Sequence, residues 1–252
     1  VVAIIIFALI IGLCIGSFLN VCIYRIPREE SISFPPSHCT SCGYELNFFD
    51  LVPVFSYILL RGKCRKCSEK ISIQYPLVEL VNGIIYSGLY LRFGYTVDFF
   101  KFALLTSLLL VIGIIDFKTK YVYRGTTITG AVIGTGFLIF DWITIKEFPI
   151  YYFFGAIIGF AIIYIIVKVT GGMGEGDIEI AAICGLFLGI KSILLVLFLS
   201  FIFGGIIATL ILILKLKGRK DEIAFGPYIV LGAMVTIFIG DIIIKWYTNF
   251  LS

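Results

Sequence analysis

The sequence predicts an all-α polytopic membrane protein: about eight transmembrane helices with a small cytoplasmic zinc-knuckle module. Three observations carry that expectation. Of the 252 residues, 60% are hydrophobic and only 14% charged, with a mean hydropathy of +1.08, which excludes an ordinary soluble domain. The apolar residues fall in runs near the ~20 needed to cross a bilayer. One long stretch, 25–74, is polar instead and holds the only histidine and four of the seven cysteines.

Taken in order, the expected spans are roughly 1–24, 75–93, 99–115, 126–141, 149–170, 178–190, 193–214 and 225–247. The run from Val1 to Asn20 is too long for a cleaved leader and lacks its basic flank, so it is expected to be a true span. The sixth span is short and starts at a glycine-rich acidic loop, as a tilted or partly submerged helix would. The division is therefore a first helix over 1–24, a module over 25–74 and a membrane domain over 75–252.

Charge sets the expected orientation. With the module in the cytoplasm and eight alternating spans, 15 of the 20 Lys and Arg fall on the cytoplasmic side, among them Lys217, Arg219 and Lys220. Asp116 and Asp177 fall on that side as well. The net charge of +4 is thus a topology signal, and nothing points to nucleic acid.

Within the module, Cys39, Cys42, Cys64 and Cys67 form two Cys-x-x-Cys pairs, with 21 residues between Cys42 and Cys64. Each pair presents two thiolates on a tight turn, and together they match a tetrahedral Zn²⁺ site with no open position, hence a structural metal. So short a segment cannot bury a large core, which gives a metal staple a physical purpose. Reduced structural thiols or redox chemistry are the alternatives. Cys14, Cys22 and Cys184 lie in apolar spans and are expected to be small buried hydrophobes.

Asp116 and Asp177 each stand where an apolar run meets a loop. An acid there is often only a headgroup contact, and a glycine-rich turn alone is also what a transporter's re-entrant kink looks like. Asp177, however, is framed by Gly174 and Gly176, which permit close backbone approach. Two converging carboxyls would share a proton, one activating water and the other protonating a carbonyl oxygen. A lone histidine in the module and the lack of a His-Glu-x-x-His motif argue against other protease chemistries.

Several fragments then line up along the chain: Gly16-Ser17-Phe18-Leu19-Asn20, the two cysteine pairs, Pro53-Val54-Phe55-Ser56-Tyr57, Gln74-Tyr75-Pro76-Leu77-Val78-Glu79, Gly174-Glu175-Gly176-Asp177 and Phe225-Gly226-Pro227. In this order they resemble the bacterial type IV prepilin leader peptidase/N-methyltransferase family, multi-pass proteins of the bacterial inner membrane. The resemblance implies Asp116 and Asp177 as a catalytic aspartate dyad, supported by Gly174 and Gly176. It implies Cys39, Cys42, Cys64 and Cys67 as structural Zn²⁺ ligands in a module associated with methyl transfer, and 75–252 as the peptidase domain. It further implies cleavage of the leader of prepilins or pseudopilins, then N-methylation from S-adenosylmethionine. No residues are assigned to the methyl donor. Glu79 is a candidate partner for a cationic amine or sulfonium, with a salt bridge to a loop Arg or Lys as the plainer alternative. A peptidase-only enzyme like the preflagellin peptidases and a proton- or ion-coupled transporter are the competing functions.

Three positions depart from the family pattern. Val122-Tyr123-Arg124 replaces a proline-containing turn, Leu51 follows Asp50 where Asn is usual, and Glu179 stands in place of Lys. Glu179 is expected to add negative charge near Asp177.

Overall fold

The computed structural model describes residues 2–215 and 223–251. Lys217, Arg219 and Lys220 of the charge count lie outside the described residues. Among those described, the regular structure is helical, with two isolated β-bridges, His38 to Glu45 and Lys63 to Lys70. The chain forms two compact units, Val1–Ala103 and Leu104–Ser252.

In the first unit, α1 (Val2–Arg25) runs into a 3₁₀ turn, Ile26–Arg28, at Pro27, which has no N–H to continue the ladder. A second 3₁₀ turn, Phe48–Leu51, and the short α2 (Phe55–Leu59) precede α3 (Gln74–Phe93). Buried amides join α1 to α3. Asn82 Nδ2 donates to the Gly12 carbonyl at 2.7 Å, and Asn20 Nδ2 to the Tyr75 carbonyl at 2.9 Å. Within a membrane such bonds replace the water these amides would otherwise need. Cys22 is buried as expected, whereas Cys14 is exposed, because it projects from the outer face of α1.

In α4 (Val97–Thr119), the first turns belong to the first unit and the remainder to the second. The helix closes where Lys120, at φ 57°, donates its N–H to the Asp116 carbonyl at 2.7 Å. There follow α5 (Arg124–Ile145), α6 (Ile150–Thr170), α7 (Glu175–Ile213) and α8 (Gly226–Leu251).

Among the described residues, six helices are long and apolar enough to cross a membrane; α3, with Glu79, Asn82 and Arg92, is not among them. At 39 residues, about 58 Å, α7 is too long for one crossing. It is broken at Gly189 (φ 79°, ψ 178°), so the expected sixth and seventh spans are two halves of one element turning on a glycine. With α3 and the two halves of α7 counted, the helical segments match the expected spans.

Packing of α6 on α7 brings backbone against backbone. A Cβ on Gly185 would collide with the Gly155 carbonyl, and a Cβ on Gly155 would lie 2.5 Å from the Gly185 oxygen. Neither oxygen can swing aside, so Gly185→Ala is expected to cost about 1–3 kcal/mol. The measurement is the thermal unfolding midpoint in detergent, and an unchanged midpoint would show that the two helices separate freely.

Candidate active site

The module is organised by two copies of one turn. Cys39 N–H donates to the Tyr44 carbonyl at 2.8 Å, and its own carbonyl accepts from Gly43 at 2.9 Å. Twenty-five residues on, Cys64 N–H donates to the Glu69 carbonyl at 2.8 Å, and its carbonyl accepts from Ser68 at 3.0 Å. Gly43 and Ser68 both adopt positive φ, and one of the two β-bridges closes each knuckle. The four Sγ atoms lie within 4.8 Å of one another, with Cys39 and Cys67 Sγ at 3.8 Å. Four thiolates around one ion at a Zn–S distance of about 2.3 Å would sit about 3.8 Å apart, so the donor set and its spacing fit a tetrahedral metal. His38 stays outside the cluster, its Nδ1 at 3.0 Å from the Pro36 carbonyl.

Crowded sulfurs do not ionise together. Backbone N–H groups of Cys67 and Lys66 draw the Cys64 thiol down to about 7. The Glu69 N–H acts in the same sense on Cys67, but burial and the neighbouring thiols push it up to about 12. A bound cation would relieve that repulsion.

The second knuckle is tied down by a buried carboxylate that sequence reading noted only as a family position. Asp50 Oδ1 receives Arg65 Nε at 2.8 Å and lies 2.7 Å from Nη2, while Oδ2 accepts the Asn47 N–H at 3.2 Å and the Tyr44 hydroxyl at 3.3 Å. Burial alone would raise the Asp50 carboxyl, but the Arg65 and Asn47 donors outweigh it and hold it below the usual range. A depressed value contributes stability that is complete above the ordinary carboxylate pKa near 4 and is lost as pH falls through the folded value. Asp50→Asn is therefore expected to release bound metal faster to a chelator, by a factor constant between about pH 6 and 8. A gap that closes across this window would assign the effect to another group.

The carboxyl pair lies in the second unit. Asp116 is in the last turn of α4 and Asp177 in the first turn of α7, 61 residues on; each is 4% exposed. Gly174, at the helix start, donates its N–H to Asp177 Oδ2 at 3.1 Å, and its carbonyl accepts the Asp177 N–H at 3.1 Å. This reciprocal pair orients the Asp177 carboxyl. The Asp116 carboxyl lies close enough to act electrostatically on it and is itself approached by the Gly226 backbone N–H, while its Oδ2 is buried and makes no hydrogen bond among the described residues.

Two contacts close the site. Val122, from the α4–α5 loop, covers Gly176 so tightly that a Cβ there would lie 2.5 Å from the Val122 Cβ. Gly226, the first residue of α8, sits against Asp116: its absent Cβ would be 2.5 Å from Oδ2 and 3.1 Å from Ile180 Cδ1 of α7. The ends of α4, α7 and α8 thus meet at one point. The signal for Gly226 was present in Phe225-Gly226-Pro227, a turn before an apolar run, but its contact with Asp116 is a tertiary fact.

Glu179 is placed differently from the expectation. Two residues beyond Asp177 on a helix, it projects to another face, where its carboxylate accepts the Thr127 hydroxyl of α5. The acid acting on Asp177 is Asp116. Glu175 lies on the exposed rim, with Lys168 Nζ at 3.6 Å. Glu79, in the first unit, is buried and accepts the Val54 N–H at 2.8 Å; neither a Lys nor an Arg pairs with it among the described residues.

Fold and site together define a class: multi-pass helical membrane proteins with a four-thiol cluster in a polar insertion and a buried carboxyl pair at helix ends. Residues 103–209 match the type IV leader peptidase family, and residues 10–93 match the bacterial peptidase A24 N-terminal domain. The two matches meet near the boundary between the compact units. Among curated relatives, the prepilin leader peptidase/N-methyltransferase of Bacillus subtilis is 30% identical over 94% of this chain and 95% of its own. That of Neisseria gonorrhoeae is 30% identical over 95% and 93%, and that of Pseudomonas putida 29% over 93% and 90%. No solved structure matches the chain. The chain belongs to the type IV leader peptidase family.

Proposed function

We propose that this protein is a membrane aspartic endopeptidase that removes the leader peptide of prepilins or pseudopilins and then N-methylates the new amino terminus. The observation that carries the proteolytic half is the buried pair of Asp116 and Asp177, brought together from two helix ends in a chain of this family. In this reading one carboxyl is ionised and its partner protonated. The ionised group takes a proton from water as the water oxygen attacks the scissile carbonyl, and the protonated group donates to the carbonyl oxygen. Collapse of the tetrahedral diol breaks the C–N bond, with a proton passing to the leaving amine. Gly174 and Gly176 serve this arrangement by holding Asp177 and admitting Val122. The unpartnered Asp116 Oδ2 supports a role as an acceptor for water or for the shared proton.

Methyl transfer rests on the relatives' names and on the N-terminal domain match, with S-adenosylmethionine as the donor substrate. Cys39, Cys42, Cys64 and Cys67 would hold Zn²⁺, which supplies a fold-closing crosslink and no open coordination position. We assign methylation to the 25–74 module and peptidase chemistry to the membrane domain that follows. The protein is a multi-pass inner-membrane protein, and the excess of Lys and Arg supports placing the module and both aspartates on the cytoplasmic side.

The deciding experiment mixes purified protein with a prepilin-like substrate that retains its N-terminal hydrophobic helix, with and without S-adenosylmethionine. Cleavage is expected in both, and a mass gain of one methylene at the new amino terminus only with the donor. Cleavage without that gain would leave a peptidase-only enzyme, and no cleavage would overturn the proposal. Stripping the metal is expected to impair methylation more than cleavage, whereas equal loss of both would refute the division of labour between module and membrane domain.

A further inference from the structure

We propose that residues 48–60 form an interfacial segment that embeds in an anionic lipid surface beside α1 and α3, so that the metal knuckles are held at the bilayer and not free above it. The segment lies outside the expected spans, yet Phe48, Phe49, Phe55, Ile58 and Leu59 are 63–81% exposed and Leu51 41%. They are not scattered. The Phe48 and Phe49 rings meet edge-on at 5.9 Å, and α2 packs against the 3₁₀ turn that carries them. An apolar surface of this kind on an extramembrane module calls for a partner.

Two further observations point to lipid. The first is depth. Val54, between the turn and α2, donates its N–H to Glu79 Oε2 at 2.8 Å. Glu79 lies five residues inside α3, about 7.5 Å along the helix from Gln74. The segment is therefore moored against the N-terminal turns of α3, the end that begins the expected span over 75–93, where an interfacial chain would lie. The bond also engages Val54 in a positive-φ conformation (φ 63°) that a β-branched residue does not adopt unaided. The second observation is charge. Immediately after the apolar stretch come the exposed residues Arg61, Lys63, Lys66 and Lys70, opposed over 61–70 only by Glu69, while Arg65 is engaged by Asp50. An apolar edge followed by a basic one matches acyl chains under anionic headgroups.

The test places a single tryptophan at Phe49, Leu59 or, as the water-facing control, Glu45, in a full-length Trp142→Phe/Trp246→Phe background. Each protein is reconstituted into vesicles of phosphatidylcholine and phosphatidylglycerol with brominated acyl chains, after metal content confirms an intact module. Quenching by the bromines is expected to be about threefold stronger for Phe49→Trp and Leu59→Trp than for Glu45→Trp. Equal quenching at all three positions would overturn the proposal. So would probes shielded from both brominated lipid and aqueous acrylamide, since protein would then cover the face. Omitting phosphatidylglycerol is expected to weaken the quenching, and Lys63→Gln/Lys66→Gln to abolish that dependence on lipid charge. A dependence that survives the double substitution would overturn the electrostatic half.

Discussion

Asp116→Asn and Asp177→Asn are each expected to lower leader cleavage by about 10²–10⁴-fold, the contribution of a positioned acid or base, while the protein still inserts and folds. The amide is nearly isosteric, so helix packing around either residue should survive. What is lost is the ability to take or give the proton. Asp177→Asn retains an oxygen for the Gly174 N–H, so the start of α7 should persist. Asp116→Asn keeps the side-chain volume but buries an NH₂ where Oδ2 has no hydrogen-bond partner among the described residues, a cost of about 1–3 kcal/mol that the folding control must register. The measurement is single-turnover cleavage of a prepilin-like substrate, with the detergent melting curve as the folding control. Because the two carboxyls act as a unit, the double variant should be little worse than either single one. Appreciable cleavage by either variant, or losses that multiply in the double, would remove the dyad.

Gly226→Ala is the second large effect, expected to reduce cleavage by about 10²-fold through displacement alone. The added Cβ would lie 2.5 Å from Asp116 Oδ2 and 3.1 Å from Ile180 Cδ1, so the first turn of α8 has to retreat or the carboxyl has to rotate. Either response moves Asp116 relative to Asp177 without changing a titratable group. The variant therefore tests geometry with both carboxyls retained: the rate should fall, and because Asp116 acts electrostatically on Asp177, the pH profile should shift as well. If the rate is unaltered, α8 does not constrain the site, and the contact is incidental.

Much of this protein was legible in its sequence because membrane physics writes itself in composition. A helix in lipid must be apolar over most of its length, so the spans announced themselves and even the shortness of the sixth was visible. Cys-x-x-Cys turns are local, which is why the four thiols could be paired on spacing alone and are found together. Contacts between distant polar groups were not legible. Glu79 reads as an acid in want of a cation, yet it takes a backbone N–H from a loop 25 residues earlier. Glu179 reads as a neighbour of Asp177, yet the helical turn directs it to Thr127.

By itself the sequence determined the helical membrane class and the thiol cluster and singled out Asp116 and Asp177 as candidates, since each follows from residue type and local spacing. Only the tertiary structure decided that Asp116 acts electrostatically on Asp177, that Gly226 seats α8 against Asp116, and that α7 breaks at Gly189. Such facts depend on how closely particular backbones approach, and a chain specifies that through the joint packing of helices, which no single segment contains.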